Sequence, residues 1–359
     1  MSGKALAALP PSISLRILSD GLAGHESQTL GIAAEMGLVP DIRRVSPRKL
    51  FAALAPFGPI DPSESPRFLG SPIAPPWPDI ALAAGRRTLP YLRRLKRESG
   101  RRVFTVYVNA PANGLRAADL IVAPIHDGIF GRNVVTPVTP PNRLSPAVLA
   151  QARRNPDPRV AALPAPRAAL LIGGNNRHFR FTPPDAIALA EIVRNFFAQG
   201  YSVMATASRR TPGFVAEAVN AALQEGRGWL WNGEGENPYF SMLANADSLV
   251  ASADSVSMVG ESVATGAPVY VFAPIGGHRK IADYLARLER LGAVRPWNGT
   301  IERWRYEPIN STPSIAASIL TAYETFRGLT PPLPPPEAFE DEEDGEEYED
   351  DDCEPEDNA

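Results

Sequence analysis

An α/β protein of two Rossmann-like domains facing a cleft is the architecture this sequence predicts, and three observations predict it. Short apolar runs, among them Leu15–Leu18, Val103–Val108, Ala168–Ile172 and Val269–Phe272, recur between stretches of helical character. Such runs suit the strands of a parallel sheet covered on both faces by helices. Glycine turns close several of them, at Gly21–Gly24, Gly85, Gly173–Gly174 and Gly276–Gly277. The layout then restarts after a proline-rich crossing at 137–166, the composition of a link between domains. The expected division is an N-terminal domain at 1–160, a C-terminal domain at 161–310, a last helix at 311–329 and a tail at 330–359.

The first half opens with the strand Leu15–Leu18 and the loop Ser19-Asp-Gly-Leu-Ala-Gly-His-Glu-Ser-Gln28, ahead of a helix over 25–36. Gly21 and Gly24 permit a tight turn and a close backbone approach. His25 falls at the helix N-terminus, where the dipole disfavours an imidazolium, and a neutral histidine accepts a proton as a general base must. The plain alternative is a turn with His25 as a cap. Residues 40–78 read as irregular and proline-rich, with a helix over 47–54. A strand follows from Pro78 and ends in Gly85-Arg-Arg-Thr88 before a basic helix; Arg86 and Arg87 sit at that strand's end. Asp119-Leu-Ile-Val-Ala-Pro-Ile-His-Asp127 gives a further strand, delivering His126 and Asp127 to the same sheet edge as His25. A simple loop role suits that pair equally well.

In the second half Ala168–Ile172 runs into Gly173-Gly-Asn-Asn-Arg-His178, then a helix over 184–199 and a strand from Tyr201 to Ser208-Arg-Arg-Thr-Pro212. Arg209 and Arg210 thus repeat the placement of Arg86 and Arg87 at a strand end beside a helix start, where guanidinium groups can clamp a diphosphate; solvated surface arginines are the ordinary alternative. After a helix over 213–224, the turn Asn232-Gly-Glu-Gly-Glu-Asn237 meets a base or sugar, or simply joins strand to helix. The stretch 247–272 is a βαβ unit: strand 248–251, polar turn 252–255, a small-residue helix carrying Glu261, Gly266-Ala-Pro268, and strand 269–272. Hydroxyls and an acid at the C-terminal end of a strand are placed where α/β sheets bind ligands. Helix capping by Ser255 or Ser257 is the plain reading. Glu261 lies four residues after Ser257 and six after Ser255, whereas a capping box needs three. Gly277, His278 and Lys280 form a last glycine turn with cationic groups before a helix over 281–291, and a final amphipathic helix spans 313–327.

Composition narrows the function classes. The formal net charge of −4 hides a split: Glu337 to Asp357 holds fifteen acids and no base, leaving 25 acids against 36 bases ahead of it. The tail cannot bury a core and is expected to be disordered. The basic body suits an anionic ligand or an anionic membrane surface; no nucleic-acid recognition module is present, so no nucleic-acid partner is expected. The one cysteine, Cys353, excludes an internal disulfide and a cysteine-based metal site. No run is long and apolar enough for a transmembrane helix, and the N-terminal residues show no targeting pattern, so a cytosolic setting is expected. The sole Asp-x-Asp pattern, Asp350 to Asp352, lies in the tail, which gives no support to a metal-dependent donor site.

Two nucleotide-binding-type halves around a cleft are the architecture of GT-B glycosyltransferases. Asp20-Gly-x-x-Gly-His25-x-x-Gln28, Ala84-Gly-Arg-Arg-Thr88, Ser208-Arg-Arg-Thr-Pro212, Gly235-Glu-Asn-Pro-Tyr239 and Asp254-Ser-Val-Ser-Met-x-x-Glu261 together resemble the mitochondrial-fission "elongated mitochondria" family, over roughly residues 13–310. That family has plant members linked to mitochondrial division and many bacterial members regarded as glycosyltransferases. Region 254–293 is also similar to the donor motif of the lipid-II-forming N-acetylglucosaminyltransferase. By that resemblance Glu261 accepts hydrogen bonds from ribose hydroxyls, and Ser255 and Ser257 approach phosphate. The extra cationic groups of His278-Arg-Lys280 depart from the motif.

The expected activity is group transfer from a nucleotide-sugar to a glycan or lipid-linked acceptor, with no cofactor beyond the donor and no metal. His25, or less favourably Asp127, would be the base. The donor side would comprise Gly173, Gly174, Asn175, Ser208, Arg209, Arg210, Thr211, Asn237, Asp254, Ser255, Ser257, Met258, Glu261, Gly277, His278 and Lys280. The acceptor side would comprise Asp20, Gly21, Gly24, Arg86 and Arg87. The Ala/Arg/Pro-rich composition points to a bacterial protein working in envelope-glycan synthesis, such as that of lipopolysaccharide, peripherally at the inner face of the membrane. A catalytically silent interaction protein and a UDP-sugar 2-epimerase are the alternatives.

Overall fold

The structure, a computed structural model, describes residues 13–328; the acidic tail expected from the sequence lies outside the described residues. Two six-stranded, all-parallel sheets form the cores of two lobes. In the N-terminal lobe, β1 (Leu15–Ser19), β2 (Pro40–Arg44), β3 (Ile80–Ala84), β4 (Phe104–Val108), β5 (Leu120–Val122) and β6 (Val134–Val135) are arranged in the order β2-β1-β3-β4-β5-β6. Around them lie α1 (Ala23–Glu35), α2 (Lys49–Leu54) and α3 (Leu89–Glu98). The central strands β1, β3 and β4 are buried along their whole length, which explains their unbroken apolar sequences. Alternate residues feed separate cores: Ile80, Leu82 and Ala84 face one side, Ala81 and Ala83 the other.

Two strands of this sheet differ from the sequence reading. Pro40–Arg44, expected to be irregular, is β2, the sheet's edge. Its Pro-Asp-Ile-Arg-Arg sequence carries charge because an edge strand stays partly wet; Asp41 bonds Arg16 of β1 and Arg43. Arg16 is itself buried and donates to the carbonyls of Ala74 and Pro76, pinning the proline-rich loop to the sheet. The strand expected to run on toward Asp127 stops at Val122, and Ile125–Asp127 forms a 3₁₀ turn.

The C-terminal lobe contains β7 (Arg167–Ile172), β8 (Phe179–Arg180), β9 (Ser202–Ala207), β10 (Gly228–Trp231), β11 (Ser248–Ser252), β12 (Val269–Phe272), β13 (Ile275–Gly276) and β14 (Val294–Pro296). Its sheet order is β10-β9-β7-β11-β12-β14, with β8 and β13 as a separate antiparallel pair. Its helices are α4 (Pro146–Arg154), α5 (Pro158–Ala161), α6 (Pro183–Ala198), α7 (Gly213–Leu223), α8 (Tyr239–Asn245), α9 (Val256–Val263) and α10 (Arg279–Arg290), and α11 (Thr312–Phe326) closes the described chain. Helix α6 is fixed by a capping box between Thr182 and Asp185, and its Leu189, Val193 and Phe196 face β7 and β9.

The chain interleaves the lobes. Leu149 of α4 and Val160 of α5 pack into the C-terminal core, so the crossing segment belongs physically to the second lobe from about α4 onward. Conversely α11 returns to the first lobe, where Ile315, Ala316, Ile319 and Tyr323 join Ile17, Ile32 and Phe104. Thr139–Ser311 and Asn142–Thr312 hydrogen bonds tie the outgoing and returning strands of chain together. Two covalent crossings, side by side, therefore connect the lobes. Among the described residues no helix is long and apolar enough to cross a membrane.

Candidate active site

The turn after β1 holds a histidine–carboxylate pair. Asp20 and His25 meet at 3.0 Å through His25 Nδ1, and Asp20 also accepts from the Leu22 amide. The aspartate side chain is 4% exposed and the imidazole 29%, so one group is shielded and the other reaches solvent. Burial pushes the Asp20 carboxyl up, but the hydrogen bond from His25, its charge, the Leu22 amide and the nearby Arg87 outweigh that and hold it below the usual carboxylate range. An ionised Asp20 accepts the Nδ1 proton and leaves Nε2 as the basic nitrogen, the arrangement by which a carboxylate orients a catalytic imidazole.

Gly85, at the end of β3, makes room for the pair. A Cβ there would stand inside the van der Waals surface of Asp20 Oδ2 and 2.6 Å from His25 Nδ1, and the residue's φ is +89°. Both space and backbone demand glycine. Gly21 likewise has φ +77°, which sets the turn, whereas Gly24 lies within α1 with open space around it. Of the two neighbouring arginines, Arg86 is tied to the Ala55 carbonyl and Arg87 is exposed. One turn further along α1, Gln28 is buried and accepts from Asn109, a positive-φ residue just past β4.

In the C-terminal lobe the loops after β7, β9 and β11 are locked together at the sheet's C-terminal edge. Buried Asp254 accepts from the Gly174 amide at 2.8 Å and from Ser252 Oγ at 2.7 Å, while Ser252 Oγ accepts from the Gly173 amide. Burial raises the Asp254 carboxyl above its usual range, against these donors and the charge of Arg210, whose guanidinium is 3.8 Å away. The Thr211 hydroxyl donates to the Gly173 carbonyl, and its oxygen accepts from the Ser208 amide. A Cβ on Gly174 would overlap the Arg210 carbonyl group. The Asn175 side chain accepts from Phe181, and Asn237 from Tyr239. Ser255 caps α9 through the Met258 amide, the plain reading of that serine; Met258 is half-buried beside the core. Arg209 and Ser257 carry no side-chain hydrogen bond among the described residues and remain available.

Glu261 is 8% exposed. Its Oε2 accepts from Tyr239 at 2.7 Å, and Oε1 takes no donor among the described residues. Burial lifts the carboxyl to about 7, opposed by the Tyr239 hydrogen bond and the charge of Arg143. The carboxylate is thus largely packed inside rather than displayed in an open turn, and Tyr239 occupies one of its two oxygens.

The two lobes touch through these same strand ends. Lys280 Nζ, at the start of α10, contacts the Asp127 carbonyl at 3.1 Å and Oδ1 at 3.3 Å, and His126 packs on Tyr284 at 4.8 Å between ring centres. The Asp127 side chain is therefore engaged by a cation of the other lobe. His278 caps α10 through the Lys280 amide and lies 4.2 Å from the ring of His178. That contact exists because β8 and β13 pair, with Gly277 N donating to the His178 carbonyl.

A family model described as Mitochondrial fission ELM1 matches residues 23–323. The chain belongs to that family. It is 31% identical over 269 residues to the Mitochondrial fission protein ELM1 of Arabidopsis thaliana, across 67% of this chain and 63% of the plant protein. It is 30% identical over 163 residues to Uncharacterized protein RP120 of Rickettsia prowazekii, across 42% of this chain and 45% of that one. The chain thus spans less than two thirds of either relative's length. Among solved structures, UDP-GlcNAc 2-epimerase of Methanocaldococcus jannaschii superposes with a TM-score of 0.51 at 13% identity, over 86% of this chain and 99% of that one. The MnaA–UDP co-structure from S. aureus gives 0.54 at 14% identity, over 90% and 99%. At such identities the likeness is one of fold, the two-lobed GT-B type.

Seen in this ELM1-family chain, the motif residues fall into two groups. Gly173, Gly174, Ser208, Thr211, Asn175, Asn237, Asp254 and Ser255 spend their polar atoms on shaping loops. His25, Arg87, Arg209, Arg210 and Ser257 keep theirs free or half-free at the strand ends. Three contributors escaped the sequence reading: Tyr239 as Glu261's partner, His178 beside His278, and the ion-pair role of Lys280 with Asp127. Gly235-Glu-Asn-Pro-Tyr239 did contain the first of these, but nothing in its spacing connects it to Glu261.

Proposed function

We propose that this chain moves a sugar from a nucleotide-sugar donor to a hydroxyl of an envelope-glycan or lipid-linked acceptor, without a metal or a further cofactor. The observation that carries the reading is the Asp20–His25 pair in the Gly85 cradle. Nε2 of His25 removes the acceptor's hydroxyl proton as its oxygen bonds the sugar's anomeric carbon. The bond from that carbon to the diphosphate breaks, and its electron pair leaves with the nucleoside diphosphate. Arg209, Arg210, Lys280 and the first amides of α7 and α9 meet the charge that develops there. Glu261 accepts from the ribose hydroxyls through Oε1. A bacterial, cytosolic setting, peripheral to the inner face of the membrane, fits such an acceptor and the basic body.

The test is kinetic. His25→Ala should lower turnover by about 10²–10⁴-fold while leaving donor binding intact, and Asp20→Asn should lower it by up to about 10⁴-fold by releasing the imidazole's orientation and tautomer. Unchanged turnover in either variant sinks the assignment. A silent, interaction-only role is favoured by one set of observations, the internal partnering of Asp127, Lys280, Asp254 and Glu261. A thermal-shift screen with UDP, GDP, ADP and CMP sugars separates the two: no stabilisation by any of them supports the silent role. Release of nucleotide only when an acceptor is present favours transfer over the epimerase alternative.

A further inference from the structure

A second concave site lies at the other end of the N-terminal sheet from His25. It is a pocket of about 710 Å³ walled by α3, residues 57–60 and residues 116–119, with Thr105 at the start of β4 and Asp119 ahead of β5. Six cations line it: Arg93, Arg94, Lys96, Arg97, Arg101 and Arg116. Asp119 neutralises Lys96, and Glu98 neutralises Arg94. Arg93 donates only to the Pro56 and Phe57 carbonyls, and its own pKa is lowered by burial and by Arg97. Arg97, Arg101 and Arg116 have no side-chain acceptor among the described residues, so four charges converge uncompensated. Phe57, 70% exposed, gives the pocket an apolar lip.

The described chain ends beside this pocket. The ring of Phe326, on the last turn of α11, lies 4.3 Å from Lys96 Nζ and 5.3 Å from the Phe104 ring, two residues before Gly328. The eight residues that follow, Leu329-Thr-Pro-Pro-Leu-Pro-Pro-Pro336, span about 25 Å at most at the rise of polyproline II. Then come the fifteen acids of 337–357, with Phe339 and Tyr348 among them and no base.

We propose that the acidic segment 337–357 of this chain docks in the cationic pocket of α3 and residues 57–60 and 116–119. Complementary charge supplies the attraction and the two aromatic residues suit the apolar lip. The tether makes weak contacts sufficient, because a short linker holds its segment at an effective concentration of order millimolar. Each ion pair is exposed and individually weak, so the association is salt-sensitive, with a screening length of about 8 Å at physiological ionic strength. Any external polyanion must compete with the segment for the same guanidinium groups.

Cys353, the only cysteine, lies inside the acidic segment and takes a nitroxide label in the full chain. The expected result is label-dependent loss of amide NMR signal confined to residues 93–101 and 114–119 at low salt. Raising salt to about 0.5 M should weaken it at least about fivefold, and the triple variant Arg97→Glu, Arg101→Glu, Arg116→Glu should remove it. The salt series on the unaltered sequence needs no mutant and stands if the variant folds poorly. Absent broadening, broadening spread evenly over both lobes, or broadening that survives the triple variant overturns the proposal. So does capture of the full chain by phosphatidylserine vesicles through these arginines with no label effect in lipid-free solution, which would assign the pocket to a membrane surface.

Discussion

Replacing Glu261 with Gln tests the electrostatics of the C-terminal lobe directly. The Glu261 carboxyl sits at about 7 in the folded chain against an ordinary 4.5. Because its folded pKa is raised, the native state binds more protons than the unfolded state between those values, and stability falls as pH rises through that window. At about 1.4 kcal/mol per pKa unit, the ionised carboxylate costs about 3 kcal/mol above pH 7 and nothing below about pH 4.5. Gln keeps the side chain's shape and an oxygen to accept from Tyr239, and it does not titrate. Glu261→Gln should therefore come within about 1 kcal/mol of the parent chain near pH 5 and exceed it by about 3 kcal/mol at pH 8.5. For a chain of this size that is roughly 4 °C in melting temperature. The assay is thermal unfolding of both proteins at fixed ionic strength from pH 5 to pH 8.5, read as the difference between them, so that other titrating groups cancel. A gap that stays constant with pH refutes the reasoning, and a gap that narrows as pH rises means a cation has stabilised the carboxylate instead. The same variant should bind nucleotide-sugar more weakly, since an amide presents a weaker acceptor to ribose hydroxyls than a carboxylate does.

Gly85→Ala should disable turnover about as severely as His25→Ala, because the new methyl group occupies the space of Asp20 Oδ2 and His25 Nδ1; the φ of +89° adds about 1–2 kcal/mol of destabilisation, which thermal unfolding would register. Asp127→Ala and Lys280→Ala distinguish a latch from a donor contact. The lysine of their ion pair is 46% exposed and the aspartate 19%, so either change should alter stability by about 1 kcal/mol or less. In titration calorimetry only Lys280→Ala should weaken nucleotide-sugar binding, by about tenfold, and equal weakening in both variants would show that the pair acts by holding the lobes rather than by touching donor.

The fold was readable because its central strands are buried on both faces, and continuous apolar runs such as Leu15–Leu18 and Val103–Val108 admit few other readings. The same logic hid β2, whose Asp41 and Arg43 reflect an edge exposed to water, and the two-residue strands β8 and β13, too short to leave a pattern. The glycines were legible as turns but not in their purpose. That Gly85 makes room for Asp20 and His25, 65 and 60 residues earlier in the chain, is a fact of β1–β3 pairing that only the register supplies. Likewise Asp254 reads as a ligand residue in sequence, whereas the β7–β11 pairing delivers it to the Gly173 and Gly174 backbone. Polar residues at strand ends serve ligands and loop architecture with the same side chains, and spacing alone does not separate those uses.

On the proposed transferase reading, the partnering of these polar groups separates framework residues from the reacting one. Loops that must present backbone amides and cations to a diphosphate gain from being rigid, since preorganised donors need not reorient as charge develops. Asp254, Thr211 and Ser255 supply that rigidity by bonding the backbone around Gly173, Gly174 and the start of α9. Removing them would loosen the frame without deleting a ligand contact, so their loss should raise donor KM and lower stability together. His25 differs in kind: its hydrogen bond to Asp20 orients it, its ring is 29% exposed, and its removal should leave the frame and the melting temperature nearly unchanged while turnover disappears. That split between variants that unfold and variants that only stop turnover is what an enzyme predicts, and a silent scaffold has no reason to produce it.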